Sequence, residues 1–139
     1  PAVAWTYRDP QRNQPVRAAA AVNEQVVVYG SQSKAIYGLE LASGTEKWKL
    51  STRARVESSP VIAEDRVVAA TTSGKMYLLD VASGDVRWES DFGGNFVASP
   101  AVVDGKIVIG NSDGTLYCLG SKSNATDKKA TENAQAAKK

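Results

Sequence analysis

The chain has no histidine and a single cysteine, Cys118, among its 139 residues. Without histidine it lacks the commonest general base, the commonest zinc and copper ligand, and the side chain that titrates near neutral pH. One cysteine excludes an internal disulfide and any paired-cysteine metal or redox motif. No apolar run approaches the roughly 18 residues a membrane-spanning helix needs. Net charge is also small, +2 from 17 basic and 15 acidic side chains, and the excess lies at one end. Residues 121–139 carry five lysines against Asp127 and Glu132, leaving the first 120 residues with 12 basic and 13 acidic groups. A nucleic-acid binder concentrates basic residues on its folded body, so no nucleic-acid partner is expected. The 121–139 segment has no aromatic and nothing larger than alanine to bury, which predicts a disordered Lys/Ala-rich tail. The first stretch, Ala2 to Tyr7, lacks the basic start and apolar core of a signal peptide.

What is present is a repeat. Tyr37, Tyr77 and Tyr117 stand 40 residues apart, as do Leu39, Leu79 and Leu119, and Val27, Val67 and Ile107. Trp48 and Trp88, Gly44 and Gly84, and Ser59-Pro60 and Ser99-Pro100 keep the same step. Within the second unit, Ser59–Ala63, Arg66–Thr72, Lys75–Val81 and Val86–Ser90 read as strands, separated by Glu64-Asp65, Ser73-Gly74 and Ser83-Gly84-Asp85. They are rich in β-branched and apolar residues, and the separators are turn formers. Asp104-Gly105 and Asp113-Gly114 are hairpin signals in the third unit, because such residues reach positive φ cheaply. Each unit is thus a four-stranded antiparallel meander, strands A to D. The third strand is apolar on both alternating sets, as in Met76-Tyr77-Leu78-Leu79, and must be covered on both faces. Four-stranded sheets stacked face to face around an axis meet that demand, which makes the fold all-β, a β-propeller of about three blades in a partial ring.

The pattern Leu-Glu/Asp-x-Ala-Ser-Gly-x-x-x-Trp, at Leu39 to Trp48 and Leu79 to Trp88, follows Gly-x-x-Tyr stretches such as Gly74-Lys75-Met76-Tyr77 and Gly114-Thr115-Leu116-Tyr117. It resembles the tryptophan-docking repeat of the quinoprotein-type, or PQQ-like, β-propeller family, and within it the scaffold-type β-propeller lipoproteins of the bacterial outer-membrane assembly machinery. The resemblance implies structural docking roles for Trp5, Trp48, Trp88, Gly44 and Gly84, with each indole stacked on a neighbouring blade. It implies a bacterial periplasmic or cell-envelope location. The family's quinone-dependent dehydrogenases hold pyrroloquinoline quinone over calcium beside an adjacent-cysteine disulfide. This chain lacks the cysteine pair, and its tryptophans are assigned to docking. No catalytic, cofactor-binding or metal residue is therefore expected here, and PQQ with calcium is an expectation only for a longer parent protein.

Strand phase divides the chain into an outer strand of a preceding blade at 3–7, blades at 18–50 and 58–91, and a blade at 98–120 lacking its outer strand. The expected protein is the C-terminal portion of a larger propeller, with the remaining blades of the parent chain, or self-association, covering its open ends. Cys118 aligns with Gly38 and Leu78, which predicts a small buried filler. Loops joining strand D to the next strand A differ most between units and in propellers reach the channel mouth. Arg12, Arg17, Arg53, Arg55 and Asn95, with Phe96 expected to be exposed beside Gly93-Gly94, form a candidate rim for a protein or peptide partner. The leading expectation is a non-catalytic scaffold. The alternatives are part of a quinone-dependent dehydrogenase, or a sensor propeller of a signalling protein.

Overall fold

The computed structural model describes residues 1–121, so the predicted tail lies almost wholly outside the described residues. Eleven strands form three antiparallel sheets, and each sheet is a meander in chain order. The first sheet contains β1 (Ala21–Val22), β2 (Val26–Ser31), β3 (Ala35–Glu40) and β4 (Glu46–Ser51). The second contains β5 (Val61–Ala63), β6 (Arg66–Ala70), β7 (Lys75–Asp80) and β8 (Val86–Asp91), and the third has, among the described residues, β9 (Ala101–Val103), β10 (Lys106–Gly110) and β11 (Leu116–Leu119). β1 lies against β5 and β5 against β9, so the first strands line up across the sheets. This is a partial β-propeller. Among the described residues no helix is long and apolar enough to cross a membrane.

The two-sided apolar pattern does what packing requires. Alternate residues of the first sheet, Val26, Val28, Ile36 and Trp48, meet Val67, Ala69, Tyr77 and Leu79 of the second in one core. The second sheet turns Val68, Ala70, Met76 and Leu78 the other way, onto Ile107, Ile109, Tyr117 and Leu119 of the third. Strand β3 is buried on both faces except at Glu40, because it has neighbours on both sides. Strand β11 alternates exposed and half-buried, because the described residues cover only one of its faces. Cys118 falls on the uncovered face and is exposed, which corrects the expectation of a buried filler.

Residues 3–7, expected to be the outer strand of a preceding blade, pair with no strand among the described residues but lie over the first sheet, where Trp5 and Tyr7 pack on Val27, Tyr37 and Leu39. Their tryptophan is nonetheless seated. Trp5 lies over Gly44 and its Nε1 donates to the Leu41 carbonyl at 2.8 Å. Trp48 lies over Gly84 and its Nε1 donates to the Val81 carbonyl at 2.9 Å. Both glycines have positive φ, 71° and 74°, and a Cβ on either would come within 2.5 Å of the indole. The glycine is needed twice over, for the left-handed backbone and for close approach. Trp88 is placed differently. It is 40% exposed and borders a cavity of about 430 Å³ lined by Leu78, Ile107, Leu119 and Ser121. Trp48 stands opposite Gly38 and lies across it, whereas Trp88 stands opposite Leu78; the position 40 residues after Gly84, where Trp88 would find its seat, lies outside the described residues.

Candidate partner-binding face

The loops from each outer strand to the next inner strand are held by their backbones. Gln32 N–H donates to the Pro15 carbonyl at 3.1 Å, Thr72 N–H to Arg55 at 2.9 Å and Ser112 N–H to Asn95 at 2.9 Å. In the other direction Val56 N–H donates to Ser31 and Phe96 N–H to Thr71, each at 3.2 Å. Each of the two inter-sheet loops, 52–60 and 92–100, is thereby clasped between the β2–β3-type turns of two adjacent sheets. Serines tie the inner edge together at the same step: Ala19 N–H donates to Ser59 Oγ (2.9 Å) and Ser59 N–H to Ser99 Oγ (3.2 Å).

These clasps sort the candidate residues. Arg12, Arg17, Arg53 and Arg55 are exposed, and Arg12 Nη1 donates to the Ser33 carbonyl at 3.3 Å. Asn95 is half-buried, and its Oδ1 has no hydrogen-bond partner among the described residues. Phe96, expected to be exposed, is 0% accessible. It packs with Val68, Ala70, Met76 and Ile109 and meets Phe92 and Tyr117 edge-on at 6.1 Å. The loop clasp turns it inward, so it closes the seam between the second and third sheets and offers nothing to a partner.

Charge separates the loops from the strands. The strand arginines Arg66 and Arg87 pair with Asp65 and Asp80 at 2.6 and 2.8 Å. Among the described residues the five loop arginines, Arg8, Arg12, Arg17, Arg53 and Arg55, take part in no ion pair. The loop carboxylate Glu57 accepts instead from Gln32 Nε2 at 2.8 Å. The Arg87 guanidinium, and after it the Ser83 and Ala82 amides that Asp80 accepts, hold the Asp80 carboxyl down at about 2.

Beside Arg8 and Arg12 lies a cluster that sequence reasoning missed. Asp9 is buried, accepts from Lys49 Nζ at 2.7 Å and Tyr37 Oη at 2.5 Å, and caps the Gln11 amide. Tyr37 stacks on Tyr29 with centroids 4.8 Å apart, and Tyr7 donates to Glu46. The Lys49 ammonium, then the Tyr37 hydroxyl, hold the Asp9 carboxyl far below the usual carboxylate range, while burial and then Asp9 push the Tyr37 phenol up. A carboxylate that cannot take a proton and a phenol that cannot lose one near neutral pH do no acid–base chemistry there. The cluster is a fixed brace that orients the 8–17 loop. Asp9 stands four residues after Trp5, as Thr52 and Phe92 do after Trp48 and Trp88.

The hairpin Asn111-Ser112-Asp113-Gly114 is likewise self-satisfied, with Asn111 Oδ1 accepting the Asp113 and Thr115 amides. No group of three or more His, Cys, Asp or Glu side chains converges among the described residues.

Among the solved structures that share this fold are two propeller proteins. One is BamB from Moraxella catarrhalis (TM-score 0.67, 24% identity), covered over 82% of this chain and 37% of that one. The other is the quinohemoprotein alcohol dehydrogenase ADHIIG from Pseudomonas putida HK5 (TM-score 0.71, 20% identity), covered over 79% of this chain and 19% of that one. The chain thus spans well under half the length of either. No curated protein sequence matches it. Over residues 2–130 it matches the family model described as outer membrane protein assembly factor BamB, and with its 40-residue blades and seated tryptophans the chain belongs to that family of PQQ-like repeat propellers.

Proposed function

We propose that the chain is a non-catalytic propeller scaffold whose loop face binds a protein or peptide partner bearing acidic groups. One observation carries this reading: five arginines lie on loops held by backbone hydrogen bonds and have no carboxylate partner among the described residues, while both strand arginines are paired. Arginine is a frequent hot-spot residue, its guanidinium takes carboxylates bidentately, and pre-ordered loops lower the entropy cost of association. The family description, an outer-membrane assembly factor, supports a cell-envelope location. The described residues do not fit a calcium-bound quinone, since they offer no converging carboxylates and no cysteine pair, and Trp5 and Trp48 are occupied on glycines.

The Arg53→Ser, Arg55→Ser double variant tests the reading. Capture of the physiological partner should fall at least tenfold with an unchanged melting temperature, because both side chains are exposed and make no ion pair. Unchanged capture removes the arginine face from the proposal. Adding pyrroloquinoline quinone and calcium should leave the quinone absorbance unaltered, and stoichiometric uptake would overturn the scaffold reading.

A further inference from the structure

The turn between β2 and β3 differs from its two counterparts in a way that adds charge to the loop face. Lys34, Gly74 and Gly114 stand 40 residues apart and close the same turn, each amide donating to the carbonyl three residues earlier, at 3.3, 3.2 and 3.2 Å. All three have positive φ, 64°, 84° and 82°. Glycine takes that backbone without strain, whereas a side chain on it is disfavoured. In the second turn a side chain is also excluded by space, because a Cβ on Gly74 would lie 2.3 Å from the Gly93 carbonyl oxygen. The first turn keeps an exposed lysine in the strained position, and among the described residues its ammonium takes part in no ion pair. Strain held at an exposed turn points to a use for the side chain.

Two arginines of the loop face flank Lys34. Arg12 Nη1 donates to the Ser33 carbonyl at 3.3 Å, and the Thr52 amide donates to the Lys34 carbonyl at 2.8 Å, which sets Arg53 beside the turn from the other loop. The carboxylates nearby are engaged, Asp9 by Lys49 and Tyr37 and Glu57 by Gln32. Both loops that clasp the turn lie within the described residues, so the cluster depends on neither end of the chain. The third sheet's turn carries Asp113 instead, and loop 92–98 has no charged residue.

We infer that an acidic stretch of a protein or peptide partner lies across the 31–34 turn, its carboxylates paired with Arg12, Lys34 and Arg53. The site rests on the reading of the loop face proposed above and places its centre of charge at a lysine. The turn suits carboxylates better than a phosphate. A phosphate is cradled by free backbone amides, but here Gln32 N–H donates to Pro15, Ser33 N–H to Ser31 Oγ and Lys34 N–H to Ser31. What remains are three long cationic side chains on separate segments, which match carboxylates spaced along an extended chain.

The test titrates the full chain into a fluorescent octapeptide of alternating glutamate and glycine and follows anisotropy at low salt. The wild type should bind it, with affinity falling as salt rises, and should not bind the glutamine-glycine counterpart. Lys34→Gln should weaken binding about threefold, while Lys47→Gln, which removes the same charge from an exposed position on β4, should leave it unchanged. Lys34→Gly should weaken binding equally yet unfold at the same or a higher urea concentration, because glycine relieves the turn. Absence of binding by the wild type overturns the inference, as does equal weakening by Lys34→Gln and Lys47→Gln. A lower urea midpoint for Lys34→Gly makes the lysine a structural residue and also overturns it. Displacement of the peptide by inorganic phosphate at lower concentration than by glutarate makes the turn a phosphate site, with the same result. If Arg53→Ser, Arg55→Ser abolishes peptide binding and Lys34→Gln does not, the inference fails while the arginine face stands.

Discussion

Gly84→Ala isolates the contact that joins the first two sheets. The backbone at Gly84 has φ of 74°, and a Cβ there costs about 1–2 kcal/mol in the left-handed region. The same Cβ would lie 2.5 Å from Trp48 Cδ2, so the indole must leave its seat. Its Nε1 then loses the 2.9 Å bond to the Val81 carbonyl, and a buried donor left without a partner costs about 1–3 kcal/mol. Gly105 supplies the control, because its φ is also positive at 68° and an added Cβ meets nothing within 4 Å. Urea unfolding followed by far-ultraviolet circular dichroism should therefore show Gly84→Ala about 1–3 kcal/mol worse than Gly105→Ala. In a Trp48→Ala background the two glycine variants should become equal, at the backbone cost alone. Gly44→Ala with Trp5→Ala gives the same cycle at the open end, where Trp5 is less deeply buried and its loss more easily survived. Equal losses for Gly84→Ala and Gly105→Ala in the presence of Trp48 would refute the seating argument.

Phe96→Ala should cost about 3–5 kcal/mol in the same urea assay, because it empties a fully buried site between two sheets; a loss under about 1 kcal/mol would mean the ring faces solvent. Trp88→Phe should change stability far less than Trp48→Phe, since Trp88 is 40% exposed and Trp48 only 8%. The Asp80 carboxyl, at about 2 in the folded chain against ~3.9 unfolded, contributes stability that is complete above the unfolded value and is lost as pH falls from about 4 towards 2. Urea midpoints measured at about pH 5 and about pH 3 should converge in Asp80→Asn relative to the wild type. Asp9→Asn should flatten the same acid limb and, by loosening the brace on Lys49 and Tyr37, increase proteolysis within residues 8–17 at neutral pH.

The blades were legible because sheet burial is periodic. Every expected strand of the second unit appears with its ends within two residues, since Glu64-Asp65, Ser73-Gly74 and the Ser83–Asp85 turn allow the chain to reverse only there. The loop face was half legible. The exposed arginines follow from their charge, but the fate of Phe96 follows from backbone clasps that no local pattern announces. A partial signal did exist: Val56 and Phe96 stand 40 apart, are both apolar and are both buried, although their counterpart Val16 is 55% exposed. Asp9 was hidden for a different reason. Trp5 precedes Trp48 by 43 residues rather than 40, so a fixed step misses the alignment of Asp9 with Thr52 and Phe92. Cys118 was misjudged because periodicity assumes a neighbour on both sides, and among the described residues the third sheet has one.

Those repeat differences also determine how the sheets pair. At the seam before the first sheet, Tyr37 meets the carboxylate of Asp9. Between the first and second sheets the same position after the tryptophan is Thr52, bonded to the Ala54 carbonyl, and Tyr77 packs among aliphatic side chains. Between the second and third it is Phe92, 5.1 Å from Tyr117. Set against the second sheet, Asp9 would meet Tyr77 and Glu89, which stands opposite Tyr77 where Lys49 stands opposite Tyr37. That leaves a buried charge unpaired beside a like charge, a penalty of several kcal/mol. Near-identical blades thus carry distinct interfaces, and the order of stacking is enforced by what each wrong neighbour would cost.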